Sequence, residues 1–126
     1  MSETSKTYLW GGRILTALPI LMFAMSGAMK LAGSADFLKQ WAGFGFKPEL
    51  ALTIGIVELT CVVLYAIPRT AALGAVLLTA YLGGAVVTHV RVGEAPFAPI
   101  LIGIIVWGGL YCRDARVRSL LPLRKP

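Results

Sequence analysis

Four long apolar stretches dominate the chain, and short polar segments separate them. An α-helix rises about 1.5 Å per residue, so roughly 20 apolar residues cross the hydrocarbon core of a bilayer. The pattern therefore predicts an all-α protein, an integral membrane bundle of four transmembrane helices. The predicted spans cover residues 14–35, 50–68, 70–90 and 95–112.

The segment between the first two spans, residues 36–49, has a different pattern. Its aromatic residues alternate with lysine and glutamine, and Phe37, Leu38 and Trp41 share one helical face. This pattern predicts a short interfacial segment, a helix that lies in the headgroup region. Its aromatics either anchor the segment in lipid or line the mouth of a pocket, and anchoring is favoured.

The composition supports a membrane protein and excludes an ordinary soluble domain. Of the 126 residues, 57% are hydrophobic and 14% are charged, against about 25% charged in soluble domains. A soluble domain of this length could not bury so much apolar surface. The net charge of +6 is consequently not a sign of nucleic-acid binding, because basic residues beside apolar spans contact lipid headgroups and set topology.

The basic residues are unevenly distributed between the two ends of the predicted spans. Four spans place both termini on one side, together with eight of the 12 Lys and Arg residues. The remaining four are Lys30, Lys39, Lys47 and Arg91. The positive-inside rule thus predicts a multi-pass protein of the cell (inner) membrane with both termini cytoplasmic. Residues 1–13 then form a cytoplasmic head, and residues 113–126 form a basic cytoplasmic tail.

Glu58 lies near the middle of the second span, whose other residues are uncharged. An ionisable group at that depth costs about 2.5–3.5 kcal/mol, so it needs a partner, a proton or a water-filled cavity. One interpretation is functional: the carboxyl group binds a ligand or relays protons. The other is structural: Glu58 is neutral or paired and locks the helices together. The functional interpretation is favoured.

Two helical faces in the predicted spans carry small or polar residues, and that of the second span is expected to point into the bundle. The face of the second span contains Gly55, Glu58, Cys61 and Tyr65. The face of the third span contains Tyr81, Gly84, Ala85, Thr88 and His89. In the first span, Ala24, Ala28 and Ala32 form a stripe that would let another helix approach closely.

These positions suggest one polar pocket that opens outward and has Glu58 as its floor, about 12 Å deep. The candidate ligand-binding residues are Lys30, Glu58, Tyr81, His89 and Arg91. An acid, a phenol and an imidazole within proton-transfer reach suit the binding and protonation of a quinone head group. Lys30 either extends its ammonium group to the membrane surface or turns inward to Glu58, and the residues favour the surface. His89 alone is more typical of an interface than of a ligand site.

The sequence offers little support for metal or redox chemistry by this chain alone. Cys61 and Cys112 are predicted to lie at different depths and not to pair, and no CxxC motif or histidine cluster accompanies them. The chain has no haem, flavin or nicotinamide motif, so the cofactor is open, with a quinone as the candidate. There is no self-contained catalytic motif, and whether the protein is an enzyme is also open.

Four short motifs resemble those of the DoxX-like (DoxX/DoxD-related) family of small integral membrane proteins. They are SGAMKLAGS (26–34), FLKQWAGFGF (37–46), GIVELTCVV (55–63) and THVRVGE (88–94). The resemblance extends over residues 12–122 and implies a compact four-helix membrane bundle. It also implies a link to redox systems, because relatives include a subunit of a thiosulfate:quinone oxidoreductase and a membrane partner in redox and thiol-stress complexes. By position, Lys30, Glu58, His89 and Arg91 match recurrent polar residues of the family, without established catalytic roles.

Two functions from different classes follow. The first is an accessory or quinone-interacting subunit of a membrane redox system, with a redox partner protein. The second is a non-enzymatic membrane scaffold or small transporter, in which Glu58 is a structural ion-pair lock. The lipid bilayer is the expected environment in both, and a homo-oligomer is compatible with both.

Overall fold

The computed structural model describes residues 6–124, which are helical apart from their connections and contain no strand. The helices are α1 (Lys6–Ala32), α2 (Ala35–Gly43), α3 (Glu49–Ala66), α4 (Ala71–Arg91), α5 (Phe97–Arg113) and α6 (Ala115–Leu120). A 3-10 turn, Pro68–Thr70, joins α3 to α4. The prediction of an all-α protein is therefore confirmed for the described residues.

The predicted segments differ from the observed helices mainly at the two ends of the chain. Helix α1 begins at Lys6, so most of the predicted head is a continuation of the first helix. Residues 1–5 of that head and residues 125–126 of the tail lie outside the described residues. The tail contains α6, a short helix that the sequence analysis did not predict, which buries Val117 against the bundle.

Three segments are long and apolar enough to cross a membrane: α1, α3, and the 3-10 turn together with α4. Helix α5 is also apolar but has 17 residues. Many large apolar side chains on the outer surfaces are exposed, for example Leu21 (65%) and Ile104 (64%). Such a surface is unfavourable in water and suits contact with lipid chains.

The four long helices form a closed ring. Helix α1 packs against α3 and α5, and α4 packs against the same two helices, so α1 is diagonal to α4 and α3 to α5. Contacts across the interior join the diagonal pairs. The Tyr65 hydroxyl donates a hydrogen bond to the Val106 carbonyl at 2.7 Å, and the rings of Phe23 and Tyr81 meet edge to face at 6.1 Å.

Two glycines bring the helices close together at the end of the bundle opposite α2. A Cβ atom on Gly74 would overlap the backbone of Leu64 and Tyr65, so α4 touches α3 directly. A Cβ atom on Gly109 would lie 2.8 Å from Thr16 Oγ1, so α5 is equally close to α1. This half of the bundle is therefore tightly packed.

The alanine stripe of α1 does not lie on the buried face of this helix. Ala24, Ala28 and Ala32 are exposed. The buried face of α1 instead contains Gly12, Thr16, Pro19, Phe23, Gly27 and Lys30. An alanine stripe is as compatible with lipid as with a neighbouring helix, because lipid chains are themselves apolar.

Gly74→Ala is expected to weaken the bundle, because the added methyl group would overlap the backbone of α3. Alanine is otherwise the better helix former by about 1 kcal/mol, so a loss of stability reports the helix contact. Thermal unfolding in detergent should show a lower midpoint. Gly83→Ala is the matched control on the same helix, since a Cβ atom there meets nothing within 4 Å. Equal midpoints for the two variants would contradict the close contact.

Candidate functional site

The centre of the site is an ion pair between α1 and α3. Lys30 Nζ lies 2.9 Å from Glu58 Oε1, and both side chains are buried, with residue exposures of 8% and 1%. Ser26, one helical turn before Lys30, completes a triangle. Its hydroxyl donates to Glu58 Oε1 at 3.2 Å and accepts from Lys30 Nζ at 2.7 Å. The acid in the apolar span is thus compensated by a cation and a hydroxyl group.

The prediction that Lys30 extends to the membrane surface was wrong, and two glycines provide the physical reason. A Cβ atom on Gly55 would lie 2.9 Å from the Cβ atom of Lys30 and 3.3 Å from the Gly27 carbonyl. The absence of side chains at Gly27 and Gly55 lets α1 approach α3. The stem of Lys30 therefore lies against α3, and its ammonium group reaches Glu58, which is three residues beyond Gly55.

A cavity of about 700 Å³ adjoins the ion pair. Helices α1 to α5 and the loop between α2 and α3 all contribute to its wall, which is mostly apolar. The polar or amphipathic side chains in this wall are Ser26, Lys30, Trp41, Glu58, Tyr81, Thr88 and His89. A volume of this size is typical of small-molecule sites, which are commonly apolar with a few polar groups on one side.

Aromatic rings form the wall at the α2 end of the cavity. Trp41 stacks between Phe37 and Phe46, with ring centroids 5.6 and 4.5 Å apart, and its indole nitrogen donates to the Lys47 carbonyl at 2.9 Å. Phe37 and Trp41 line the cavity. This position agrees with the pocket interpretation of the aromatic segment, whereas the sequence favoured anchoring in lipid. Ser34 starts α2 by accepting a hydrogen bond from the Phe37 backbone, which fixes the helix that carries these rings.

Tyr81 and His89 both line the cavity, together with Gly84, Ala85 and Thr88 of the same face of α4. The ring of Tyr81 lies 5.9 Å from Lys30 Nζ, and the ring of Trp41 lies 6.0 Å from the same atom. His89 Nδ1 is 2.7 Å from the Ala85 carbonyl, and its ring is 5.1 Å from that of Phe44. The structure therefore brings Lys30, Glu58, Tyr81 and His89 to one cavity.

Arg91 is not among the residues that line this cavity. Its guanidinium group donates to the Phe44 carbonyl and lies 5.8 Å from the Phe46 ring centroid. Gly45, between them, has φ +88°, a left-handed conformation that glycine adopts readily. Arg91 thus binds the loop that covers the cavity, whereas the sequence analysis expected it in the pocket.

The cysteines take no part in the cavity wall. Cys61 is buried, Cys112 is half-buried, and both are free. Among residues 6–124, no group of three or more His, Cys, Asp or Glu side chains could hold a metal ion.

Sequence reasoning missed Ser26 as a site residue. Ser26 had a usable signal, because it precedes Lys30 by four residues and so shares its helical face. Phe44 and Phe46 belong to the aromatic segment for which the sequence left a pocket-lining role open, and both line the cavity.

Comparison with known proteins identifies the family that this chain matches. Residues 14–109 match the DoxX-like family. The uncharacterised protein YwoB of Bacillus subtilis (strain 168) is 33% identical over 92 residues, which is 73% of this chain and 46% of that protein. The chain therefore spans about half the length of this relative. No solved structure matches the chain.

The family match covers most of the chain, including Lys30, Glu58 and Tyr81. Together with the apolar helices, it makes the protein a multi-pass integral membrane protein. The resemblance inferred from the sequence motifs is confirmed: the chain belongs to the DoxX-like family.

Proposed function

We propose that this protein is an accessory subunit of a membrane redox system and that its cavity binds the head group of a lipophilic quinone. The observation that carries the proposal is the apolar cavity of about 700 Å³ whose wall contains the buried Lys30–Glu58 pair. Aromatic and aliphatic side chains would contact the ring and its tail. The polar triangle would contact the oxygen atoms of the head group.

In the proposed topology, α1, α3, α4 and α5 all cross the inner membrane, and both termini are cytoplasmic. Helix α5 is about 25 Å long, somewhat less than the usual hydrocarbon thickness. Bilayers thin locally around short spans, so this length is compatible with a crossing. Helix α2 then lies at the outer interface, and the cavity lies in the outer half of the membrane.

Glu58 and Tyr81 are the proposed proton-exchanging groups. Both line the cavity and lie near Lys30 Nζ, which is 2.9 Å from Glu58 Oε1 and 5.9 Å from the Tyr81 ring centroid. Ligand oxygen atoms change their protonation when a quinone is reduced, so neighbouring acids and phenols are suitable acceptors and donors. Because the sequence has no haem, flavin or nicotinamide motif, the proposal includes a redox partner protein that exchanges electrons with the ligand.

Arg91 has a positioning role in this proposal. It links the end of α4 to the α2–α3 loop through the Phe44 carbonyl and the Phe46 ring. Phe44 and Phe46 both line the cavity. Arg91 therefore holds the aromatic cover in place and does not contact the ligand.

The same ion pair also supports a second candidate function. A buried lysine and glutamate 2.9 Å apart, with a serine bonded to both, would also lock α1 to α3. In that case the protein is a membrane scaffold or small transporter, and the pair contributes to helix packing. Removal of both charges separates the two functions.

The Lys30→Met, Glu58→Leu double variant is expected to fold but to bind decylubiquinone at least about tenfold more weakly. Each single variant leaves one buried charge without its partner, which costs about 3–5 kcal/mol of stability. The double variant removes both charges and should recover most of that loss. Thermal unfolding and quench of tryptophan fluorescence by the quinone, both in detergent, measure the two effects.

Glu49→Gln is the matched control for this experiment, because Glu49 is an exposed acid in the first turn of the same helix. It should leave both stability and affinity unchanged. A stable double variant with unchanged quinone affinity would overturn the quinone site. A double variant that loses stability but keeps its quinone affinity would instead favour the scaffold, in which the pair locks α1 to α3.

Arg91→Gln is expected to loosen the cover of the cavity, because the shorter amide cannot contact both the Phe44 carbonyl and the Phe46 ring. Hydrogen–deuterium exchange should become faster in residues 42–47 and stay unchanged in α5. Arg116→Gln, which changes an exposed arginine in α6, is the control. Unchanged exchange in residues 42–47 would show that the loop does not depend on Arg91.

A further inference from the structure

We propose that the cavity prefers the hydroquinone form of its ligand, which carries hydroxyl groups, over the oxidised quinone. This inference rests on the proposed function and adds which redox form the site holds. Its basis is the hydrogen-bonding capacity that remains on the cavity wall. Most polar groups there already donate their hydrogen atoms within the protein, so acceptors are left to face a ligand.

The two hydroxyl side chains, Ser26 and Thr88, each have one hydrogen to donate. The Ser26 hydroxyl donates to Glu58 Oε1 at 3.2 Å. The Thr88 hydroxyl donates to the Gly84 carbonyl, four residues earlier in α4, at 2.7 Å. What each hydroxyl can still offer to a ligand is its oxygen lone pairs, and one of the two on Ser26 already accepts from Lys30.

The two ring N–H donors in the wall are also engaged by carbonyl groups. Trp41 donates its single N–H to the Lys47 carbonyl at 2.9 Å. His89 Nδ1 is 2.7 Å from the Ala85 carbonyl, which can only accept, so Nδ1 carries a hydrogen. In a neutral imidazole the other nitrogen, Nε2, is then an acceptor. His89 thus offers a ligand a hydrogen-bond acceptor, as Thr88 does.

Glu58 provides the strongest acceptor. Lys30 and Ser26 both donate to Oε1, and within residues 6–124 no hydrogen bond of standard geometry reaches Oε2. Glu58 lines the cavity, so this second oxygen is available to a ligand hydroxyl. Hydrogen bonds to an ionised carboxylate are stronger than those between neutral groups.

The donors that remain in the wall are few. Lys30 uses two of its three N–H groups on Ser26 and Glu58, and the Tyr81 hydroxyl is the other candidate. A quinone has only carbonyl oxygens and needs such donors. A hydroquinone has O–H groups and finds Glu58, Thr88 and His89 as acceptors. The wall is therefore complementary to the reduced ring.

Two pairs of probes test this preference on the unaltered protein. Decylubiquinol and decylubiquinone are compared under anaerobic conditions, and 4-decylphenol is compared with 4-decylanisole, a pair that differs only in the hydroxyl hydrogen and a methyl group. We expect the hydroxyl form to bind at least about tenfold more tightly in each pair. Isothermal titration calorimetry in detergent measures the four dissociation constants.

Glu58→Gln should reverse the preference. Because Lys30 and Ser26 both donate to the Oε1 position, the amide oxygen of the glutamine takes that position and the NH₂ group takes the place of Oε2. The cavity then offers a donor where it offered an acceptor. The ratio of decylubiquinol to decylubiquinone affinity should fall below one. A purely structural effect of the substitution would weaken both ligands and leave their ratio unchanged.

The outcomes separate this inference from the proposed function. Equal or tighter binding of decylubiquinone and 4-decylanisole in the unaltered protein would overturn the preference and leave the quinone site standing. Absence of binding by all four probes would overturn both. A preference that persists in Glu58→Gln would overturn the assignment of the acceptor to Glu58.

Discussion

The rest of the structure depends on the burial of one lysine–glutamate pair in an apolar bundle. Water is scarce at that depth, so each charge needs its partner at contact distance and further hydrogen bonds around it. Lys30 and Glu58 meet this condition at 2.9 Å with Ser26 between them. The condition in turn requires that α1 and α3 approach closely, and the bare backbone of Gly27 and Gly55 allows this. A larger residue at either glycine would separate the helices and the charges together.

The bundle is packed differently at its two ends. At the end opposite α2, Gly74 and Gly109 let the helices touch, and Tyr65, Leu78, Val106 and Leu110 fill the interior with exposures of 1% or less. At the α2 end the helices enclose the cavity, and the aromatic residues of α2 and its loop cover it. The tight half supplies a rigid base. The open half leaves room for the cavity.

Much of the fold followed from the sequence because hydrophobic periodicity reports helices and their inner faces directly. The inner face of α3 was correct because Glu58 and Tyr65 are polar or amphipathic residues in an apolar span, and such residues avoid lipid. The inner face of α1 did not follow from the sequence, because Ala24, Ala28 and Ala32 suit contact with lipid as well as contact with a helix. The orientation of Lys30 depends on the depth of Glu58 in another helix. The sequence around Lys30 does not show where Glu58 of the other helix lies. In the same way, the sequence around Arg91 does not show that Arg91 contacts the α2–α3 loop.

The cavity ends at the tightly packed half of the bundle, where Tyr65 is fully buried and bonded to the Val106 carbonyl. Protons move through proteins along chains of water and titratable groups, and a dense apolar layer interrupts such chains. A proton gained by Glu58 from a bound ligand would therefore return to the side of the membrane from which the ligand site is reached. The close helix contacts at Gly74 and Gly109 would thus prevent protons released near Glu58 from leaking across the membrane, and so preserve the membrane potential.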